Sequence, residues 1–157
     1  MPNAPDPAHN ILAQYRRRIT PELYTKIRRE WKTHSIAEDQ RDIPGLMSTL
    51  TDDCVYELAQ SDYKWHGKEG TAAFYNELLT AFPDIYFDLQ NIVIGPQGVF
   101  EEAHVTATHE GKWLDYEPSG NHLEWDVIIL FPWDTEKEKF SGERIYHFNL
   151  FEQLSPK

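Results

Sequence analysis

Apolar residues recur at every second position through the second half of the chain, and this pattern constrains the fold more than any other feature. The alternation extends from Ile85 to Phe151 and is clearest where Val127, Ile129 and Phe131 follow one another. A period of two is typical of strands that bury one face. Turn signals at 95–98 and 134–139 divide the segment, so it predicts a meander of antiparallel strands over residues 85–94, 99–109, 122–131 and 140–151.

The first half of the chain has the period of helices instead. Thr20-Pro21 is a typical helix start, because a capping hydroxyl precedes a proline at the first helical position. Apolar residues then recur on one face of three segments, which begin at Pro21, near Ile43 and near Lys68. A further short helix is predicted over residues 10–19, and a strand over Cys54–Leu58.

This order of elements predicts the α+β class. We expect a curved antiparallel sheet, shaped like a cone, that about three helices close on one side and that encloses an apolar pocket. A length of 157 residues fits one domain. We assign residues 21–154 to this domain and residues 1–20 to a flexible arm or an extra helix.

The charge balance restricts the partners. A formal net charge of −11 disfavours binding to nucleic acid or to an anionic membrane, since both require a positive surface. No apolar run approaches the length of a membrane-spanning helix, and Met1 to Asp6 lacks the pattern of a signal peptide. Cys54 is the single cysteine, which excludes an intrachain disulfide, so a reducing cytoplasm is the expected location.

The sequence offers no cofactor motif. The histidines are scattered without spacing suited to one metal, and neither a glycine-rich phosphate loop nor a nucleophile elbow is present. We therefore expect neither a metal nor an organic cofactor.

Four short motifs, taken in order, carry a family resemblance. The sequence resembles the SnoaL-like polyketide cyclases of the nuclear-transport-factor-two-like superfamily over residues 21–154, through Phe82-Pro83-Asp84, Thr108-His109-Glu110-Gly111, Pro118-Ser119-Gly120 and Glu152-Gln153-Leu154. The resemblance implies a cystatin-like α+β barrel and a homodimer formed through the sheet face. It also implies binding of a small hydrophobic, oxygen-bearing molecule, such as a polyketide, terpenoid or steroid, and cofactor-free acid/base chemistry. The superfamily includes cyclases, isomerases, dehydratases and epoxide hydrolases, so the resemblance does not select one reaction.

The chain departs from these families at their acid and base positions. The Asp on the last strand of the cyclases corresponds to Ile145, and their His on the preceding strand corresponds to Ile129. The Asp of the isomerases corresponds to Leu58. Two hypotheses follow: an enzyme whose catalytic groups have moved, or a binding module that holds an apolar ligand without changing it.

Glu143 is the leading candidate for a general base. It precedes Ile145 by two positions, so both side chains are expected to face inward together with Ser141, while Arg144 faces outward. A carboxylate in an apolar cone is suited to proton transfer near neutral pH. The alternative is a solvent-facing Glu143 paired with a nearby Lys or Arg.

His109 and Tyr56 complete the predicted catalytic set. His109 ends a strand whose inward residues include Val105, and its imidazole is a candidate acid or oxyanion partner. Tyr56 shares a face with Cys54 and Leu58, and its hydroxyl is a candidate donor that orients a ligand. The alternatives are a structural histidine that fixes the turn at 110–113 and an ordinary half-buried tyrosine.

The remaining candidates form an apolar wall. The predicted substrate-binding residues are Leu58, Phe74, Val105, Trp113, Trp125, Val127, Ile129 and Ile145. Core packing explains the same pattern, and a filled cone would favour a third hypothesis in which the sheet face serves mainly for assembly.

Overall fold

The structure, a computed structural model, describes residues 11–155; of the arm or extra helix assigned to residues 1–20, residues 1–10 lie outside them. In chain order the elements are α1 (Ile11–Arg16), α2 (Pro21–Asp39), α3 (Ile43–Ser48), β1 (Leu50–Leu58), β2 (Lys64–His66), α4 (Gly67–Ala81), β3 (Tyr86–Gly95), β4 (Gly98–Thr108), β5 (His122–Asp134), β6 (Lys139–Phe148) and α5 (Leu150–Leu154). The α+β class is confirmed. The predicted helices and strands are all present, with ends shifted by a few residues.

The strands form one curved, open sheet in the order β2-β1-β6-β5-β4-β3. Consecutive strands from β3 to β6 pair antiparallel, as the two-residue period predicted. Strands β1 and β6 run parallel to each other, which the prediction of an antiparallel sheet did not anticipate. This pair places the early strand β1 beside the last strand of the sheet.

The helix starts follow the expected capping chemistry. The Thr20 hydroxyl accepts a hydrogen bond from the Leu23 amide at 3.1 Å, and Pro21 occupies the first turn of α2. Asp42 caps α3 in the same way, accepting from the Gly45 amide at 3.0 Å. These local bonds satisfy amides that a helix leaves without partners at its beginning.

The core lies between the helices and one face of the sheet. Along β4 and β5 alternate residues are buried, among them Ala103, Val105, Trp125 and Val127, as the alternation predicted. Helix α4 buries Phe74 and other residues of one face against this layer. Helix α2 is less apolar, and its buried residues are Ile27, His34 and Ala37.

Two elements were missed by the sequence analysis. The three-residue strand β2 pairs with β1 and is too short to show an alternating pattern. The last predicted strand ends at Phe148, because Asn149 adopts a left-handed backbone with φ 68° and starts α5. Asparagine adopts this conformation more readily than most residues. Asn149 was therefore the sequence signal that the strand ends here and the chain turns.

A β-bulge in β6 fixes the direction of Glu143. Leu130 pairs with Arg144, and Trp133 pairs with Phe140. An interval of three residues on β5 is therefore matched by an interval of four residues on β6. The extra residue reverses the alternation, so Phe140 and Glu143 are both buried although an odd number of positions separates them. The expectation that Ser141 faces inward together with Glu143 is therefore wrong: its hydroxyl lies within 3.3 Å of the Pro132 carbonyl oxygen, outside the core.

The arginine run lies at the surface, and the single cysteine lies in the core. Arg16, Arg17 and Arg18 are exposed, and Cys54 is fully buried, with burial raising the pKa of its thiol. Arg144 faces outward as predicted and pairs with Glu57 of the neighbouring strand. Among the helices of residues 11–155, none combines the length and the apolar character required to cross a bilayer.

Gly142 makes the bulge possible, and replacing it tests this role. Its φ is 134°, and a Cβ at this position would lie 1.9 Å from the Val55 carbonyl oxygen. We expect Gly142→Ala to lower the free energy of unfolding by about 3 kcal/mol or more, from backbone strain and overpacking together. Urea denaturation followed by circular dichroism measures the change.

Gly120→Ala is the matched control. Gly120 also has a positive φ, 71°, but a Cβ there meets no atom within 4 Å. Its cost should be limited to about 1–2 kcal/mol of backbone strain. Equal losses in the two variants would show that the contact between Gly142 and β1 is not important.

Candidate functional site

A cavity lies between the buried face of the sheet and helices α2 and α4. Its lining leaves about 470 Å³ of space between atoms, a figure that includes open solvent, and the cavity is narrow. Its walls are mostly apolar and aromatic, and consist of Leu58, Phe74, Leu78, Ile85, Phe87, Trp113, Trp125, Val127, Ile129, Ile145 and Leu150, with Glu38, Tyr75, Glu143 and His147 as the polar members. All the predicted wall residues line it except Val105, which is fully buried in the core.

Glu143 is the centre of the polar part of the site. Its side chain is 4% exposed and lines the cavity. Three groups contact the same carboxylate oxygen, Oε1: the Tyr56 hydroxyl at 2.7 Å, the Tyr75 hydroxyl at 3.2 Å and His34 Nε2 at 3.0 Å. The alternative of a solvent-facing Glu143 paired with Lys or Arg is therefore wrong.

The second carboxylate oxygen of Glu143, Oε2, has no hydrogen-bond partner among the described residues. Because Oε1 is occupied by three groups, the carboxylate plane is fixed while Oε2 keeps its lone pairs. A carboxylate held in this way can accept a proton from a molecule in the cavity.

The tautomer of His34 follows from its other nitrogen. Nδ1 lies 2.7 Å from the Thr49 hydroxyl, which donates its one hydrogen to the Leu46 carbonyl oxygen at 2.7 Å. Thr49 must therefore accept from His34, so Nδ1 carries a hydrogen. His34 Nε2 then lies 3.0 Å from Glu143 Oε1 and 3.2 Å from the Tyr75 hydroxyl oxygen.

Tyr56 and Tyr75 donate to the carboxylate and do not compete with it for protons. Their hydroxyl oxygens lie 2.9 Å apart, and both groups are buried. Burial, followed by the neighbouring charge of Glu143, raises the pKa of both phenols well above the ordinary value. Tyr56 thus lies near Glu143 as predicted, but it positions this carboxylate and is not part of the cavity wall.

Two further carboxyl groups surround the network. Glu38 lies one helical turn after His34, and Glu101 accepts a hydrogen bond from the Trp31 indole at 3.0 Å. Burial, and then repulsion from Glu143, raises the pKa of each carboxyl from 4.5 to about 8. Both groups are therefore neutral acids at neutral pH and can donate a proton.

Glu38 also connects the cavity to a second hollow. This hollow is open to solvent and more polar, and its lining includes His34, Asp39, Asp88 and Glu101. Glu38 and Phe87 line both spaces. Glu38 is thus a carboxyl group that borders both the cavity and the open hollow.

The structure does not bring His109 to this site. His109 is fully buried, its ring stacks on Phe82 with centroids 5.2 Å apart, and Nδ1 accepts from the Ser119 amide at 3.3 Å. Burial lowers the pKa of the imidazole. Strand β4 ends at Thr108, so His109 lies in the following loop. Its contact with Ser119 holds this loop in place. The structure does not support the expected catalytic role of His109.

The sequence analysis missed His34, Tyr75 and Glu38. A signal was present in α2, where Ile27, Trp31, His34 and Glu38 are spaced by four, three and four positions and therefore share one helix face. Two titratable residues on an otherwise apolar stripe indicate a polar site beneath the helix. Tyr75 had no comparable signal, since it adjoins Phe74 in an apolar segment.

Among residues 11–155, no group of three or more His, Cys, Asp or Glu side chains is arranged to hold a metal ion. The residues that gather around Glu143 are proton donors and acceptors. Their arrangement is suited to the transfer of protons and to hydrogen bonding of an oxygen-bearing ligand.

Comparison with known proteins gives a consistent result. The family model described as SnoaL-like polyketide cyclase matches residues 25–145. A putative SnoaL-like polyketide cyclase from Jannaschia sp. CCS1 has a TM-score of 0.73 at 18% identity, covering 90% of this chain and 99% of its own. AclR, a putative hydroxylase from Streptomyces galilaeus, has a TM-score of 0.67 at 19% identity, with coverages of 83% and 96%.

A third solved structure, an LEH-like epoxide hydrolase from M. tuberculosis, has a TM-score of 0.65 at 18% identity and covers 85% of this chain and 92% of its own. At these identities the structures share the fold with this chain, and the fold does not select a reaction. A search of curated proteins gave no match.

The raised pKa values of Glu38 and Glu101 predict a pH-dependent contribution to stability. Between about pH 4.5 and 8 the folded chain retains protons that the unfolded chain has released, so this contribution decreases as pH rises through that window and is constant above it. The double variant Glu38→Gln/Glu101→Gln lacks both titrations. We expect the free energy of unfolding of the wild type, minus that of the variant, to fall steadily from about pH 5 to pH 8.

Urea denaturation at several pH values measures this difference. The paired change Glu69→Gln/Glu77→Gln, at exposed positions of α4, is the control and should give a difference that is nearly independent of pH in the same window. A flat difference for the Glu38 and Glu101 variant would show that these carboxyls titrate normally.

Proposed function

Since the chain belongs to the SnoaL-like polyketide cyclase family, we propose that it binds a small hydrophobic, oxygen-bearing molecule in the cavity and moves protons on it without a cofactor. Polyketide-, terpenoid- and steroid-like molecules are the expected ligand class. The observation that carries the proposal is the buried carboxylate of Glu143, with Oε1 held by three groups and Oε2 without a partner.

In the proposed reaction Glu143 is the base and Glu38 the acid. Glu143 Oε2 takes a proton from a carbon next to a substrate carbonyl. The electron pair of that C–H bond forms the new C=C bond, and the π pair of the C=O bond moves to the carbonyl oxygen. Glu38, whose pKa is about 8, gives its proton to this oxygen and produces a neutral enol. Transfer back at another atom would complete an isomerisation, and attack of the enol carbon on a second carbonyl would complete a cyclisation.

His34, Tyr56 and Tyr75 act as positioning residues in this scheme. They hold Oε1 and leave the negative charge available at Oε2. Since the three residues belong to α2, β1 and α4, the base keeps its direction while a ligand enters. His109, the acid of our sequence-based hypothesis, is replaced in this proposal by Glu38.

The alternative is a binding module without catalysis. It is favoured by the apolar residues Leu58, Ile129 and Ile145, which line the cavity at positions where the resemblance places the acids and bases of other families. In this case the Glu143 network would serve to orient a ligand and to connect the helices with the sheet. Both hypotheses place the ligand in the same cavity.

Hydrogen exchange into a simple ketone separates these functions. We expect the wild-type protein to accelerate deuterium uptake at C2 of 1-tetralone in D₂O, measured by NMR, and Glu143→Gln to reduce the acceleration by roughly 100-fold or more. Glu117→Gln, at an exposed loop position, is the control and should retain the wild-type rate. Binding of 1-tetralone without any acceleration by the wild type would refute proton transfer and support the binding module.

We also propose a homodimer formed through the outer face of the sheet. Exposed apolar residues cluster there: Tyr86, Val93, Phe100 and Phe148 are 59%, 61%, 37% and 46% exposed, and Val93 is paired with Phe100 across β3 and β4. A second copy of the chain would cover this face. A charged residue on the same face, Asp126, is paired with His104 at 2.8 Å. The overall charge of −11 supports a protein partner or small ligand over nucleic acid.

Sedimentation velocity tests the dimer. Val93→Glu/Phe100→Glu should sediment as a monomer at concentrations where the wild type is a dimer, because four carboxylates would face each other in the interface. Thr80→Glu, on the exposed side of α4, is the control and should remain dimeric. A wild-type chain that is monomeric at all accessible concentrations would contradict the proposal.

A further inference from the structure

Two buried polar atoms on the cavity wall have no hydrogen-bond partner among the described residues. They are the indole nitrogen Nε1 of Trp113 and the imidazole nitrogen Nε2 of His147. Trp113 is only 2% exposed. Burying polar atoms without partners is unfavourable, so such atoms on a cavity wall indicate where a bound molecule supplies the missing bond.

His147 lies at a distance from the base along the same strand. After the bulge, Glu143, Ile145 and His147 are spaced by two positions, and all three line the cavity. Four residues of a strand extend about 13 Å, which separates the α-carbons of Glu143 and His147. Ile145 between them keeps the intervening wall apolar.

Trp113 and His147 belong to connected parts of the structure. The His147 ring packs against Phe151 of α5 with centroids 5.0 Å apart, and Phe151 packs against Tyr116 at 5.9 Å. Tyr116 forms a two-residue β-bridge with Trp113. The loop at 113–116 and β6 thus contribute one residue each to the cavity wall, and Phe151 of α5 packs between them.

We infer that Trp113 and His147 form a second polar subsite, which binds a hydroxyl group at the end of the ligand remote from the reacting carbonyl. The inference rests on the proposed function only in placing the ligand in the same cavity. It narrows the ligand class to elongated hydrophobic molecules with oxygen functions at both ends, a carbonyl near Glu143 and a hydroxyl near His147.

A hydroxyl fits the chemistry of both atoms. The Trp113 indole is a donor only and requires an acceptor, while a neutral imidazole nitrogen accepts from a donor or donates to an acceptor. Burial lowers the pKa of His147 to about 4, although Glu152 opposes this shift, so the ring is neutral at neutral pH. A neutral His147, on a wall that also carries Glu38 and Glu143, does not favour a carboxylate, whereas a hydroxyl both accepts and donates.

Binding of two matched probes to the full chain tests the subsite. Isothermal titration calorimetry compares 6-hydroxy-1-tetralone with 1-tetralone, which differ by the remote hydroxyl alone. We expect the wild type to bind the hydroxylated probe roughly tenfold more tightly. His147→Phe should abolish this preference while keeping affinity for 1-tetralone within roughly twofold, because the ring shape is retained.

His147→Gln and His147→Asn make the test specific for Nε2 of His147, the atom without a hydrogen-bond partner among the described residues. The Gln amide reaches the position of Nε2 and should retain most of the preference, whereas the shorter Asn should lose it. Trp113→Phe removes the second partner and should reduce the preference by about threefold. No preference in the wild type, or an unchanged preference in His147→Phe, would overturn the inference.

These outcomes are independent of catalysis. The preference should persist in Glu143→Gln, since the carboxylate is not part of the second subsite. If the wild type does not accelerate deuterium exchange but still prefers the hydroxylated probe, the proposed proton transfer is rejected and the proposed subsite is retained. The opposite result, exchange without hydroxyl preference, would reject the subsite alone.

Discussion

The burial of one carboxylate organises this molecule. A charged or polar group placed among aromatic and aliphatic side chains is tolerated only when partners satisfy it, and Glu143 obtains partners from α2, β1 and α4 at once. The same three bonds connect the helices with the sheet. Because all of them end on one oxygen, Oε1, the second oxygen has no partner among the described residues.

The direction of Glu143 depends on a local irregularity that is unrelated to its own chemistry. Without the extra residue in β6, the alternation set by Phe140 would turn Glu143 outward. Gly142 permits the irregularity because its backbone approaches that of Val55 more closely than any side chain would allow. The position of Glu143 is therefore determined by a glycine on its own strand and by a carbonyl of the neighbouring strand.

The sequence supported the fold well and the site in part. Periodicity predicted the helices and long strands because each depends on local side-chain spacing. The order of elements and the resemblance predicted a curved sheet closed by helices, but not the parallel pairing of β1 with β6. Glu143 and most of the wall followed from counting positions along two strands. By contrast, His109 was expected at the pocket, whereas it lies in the loop after β4, where it contacts Ser119 and Phe82. His34 and Glu143 are in contact but lie far apart in the sequence, and no local sequence pattern predicts such a contact.

The parallel pairing of β1 with β6 has a consequence for the order of folding. Strand β1 is synthesised early, yet its partner lies about ninety residues later, so closing this loop carries a large entropic cost and contributes strongly to the contact order. The hairpins from β3 to β6 involve shorter closures and can form first. The β1–β6 ladder and the bonds from Tyr56 and His34 to Glu143 would then form in one late step. A chain that has not reached this step has an unpaired sheet edge and a Glu143 without these partners.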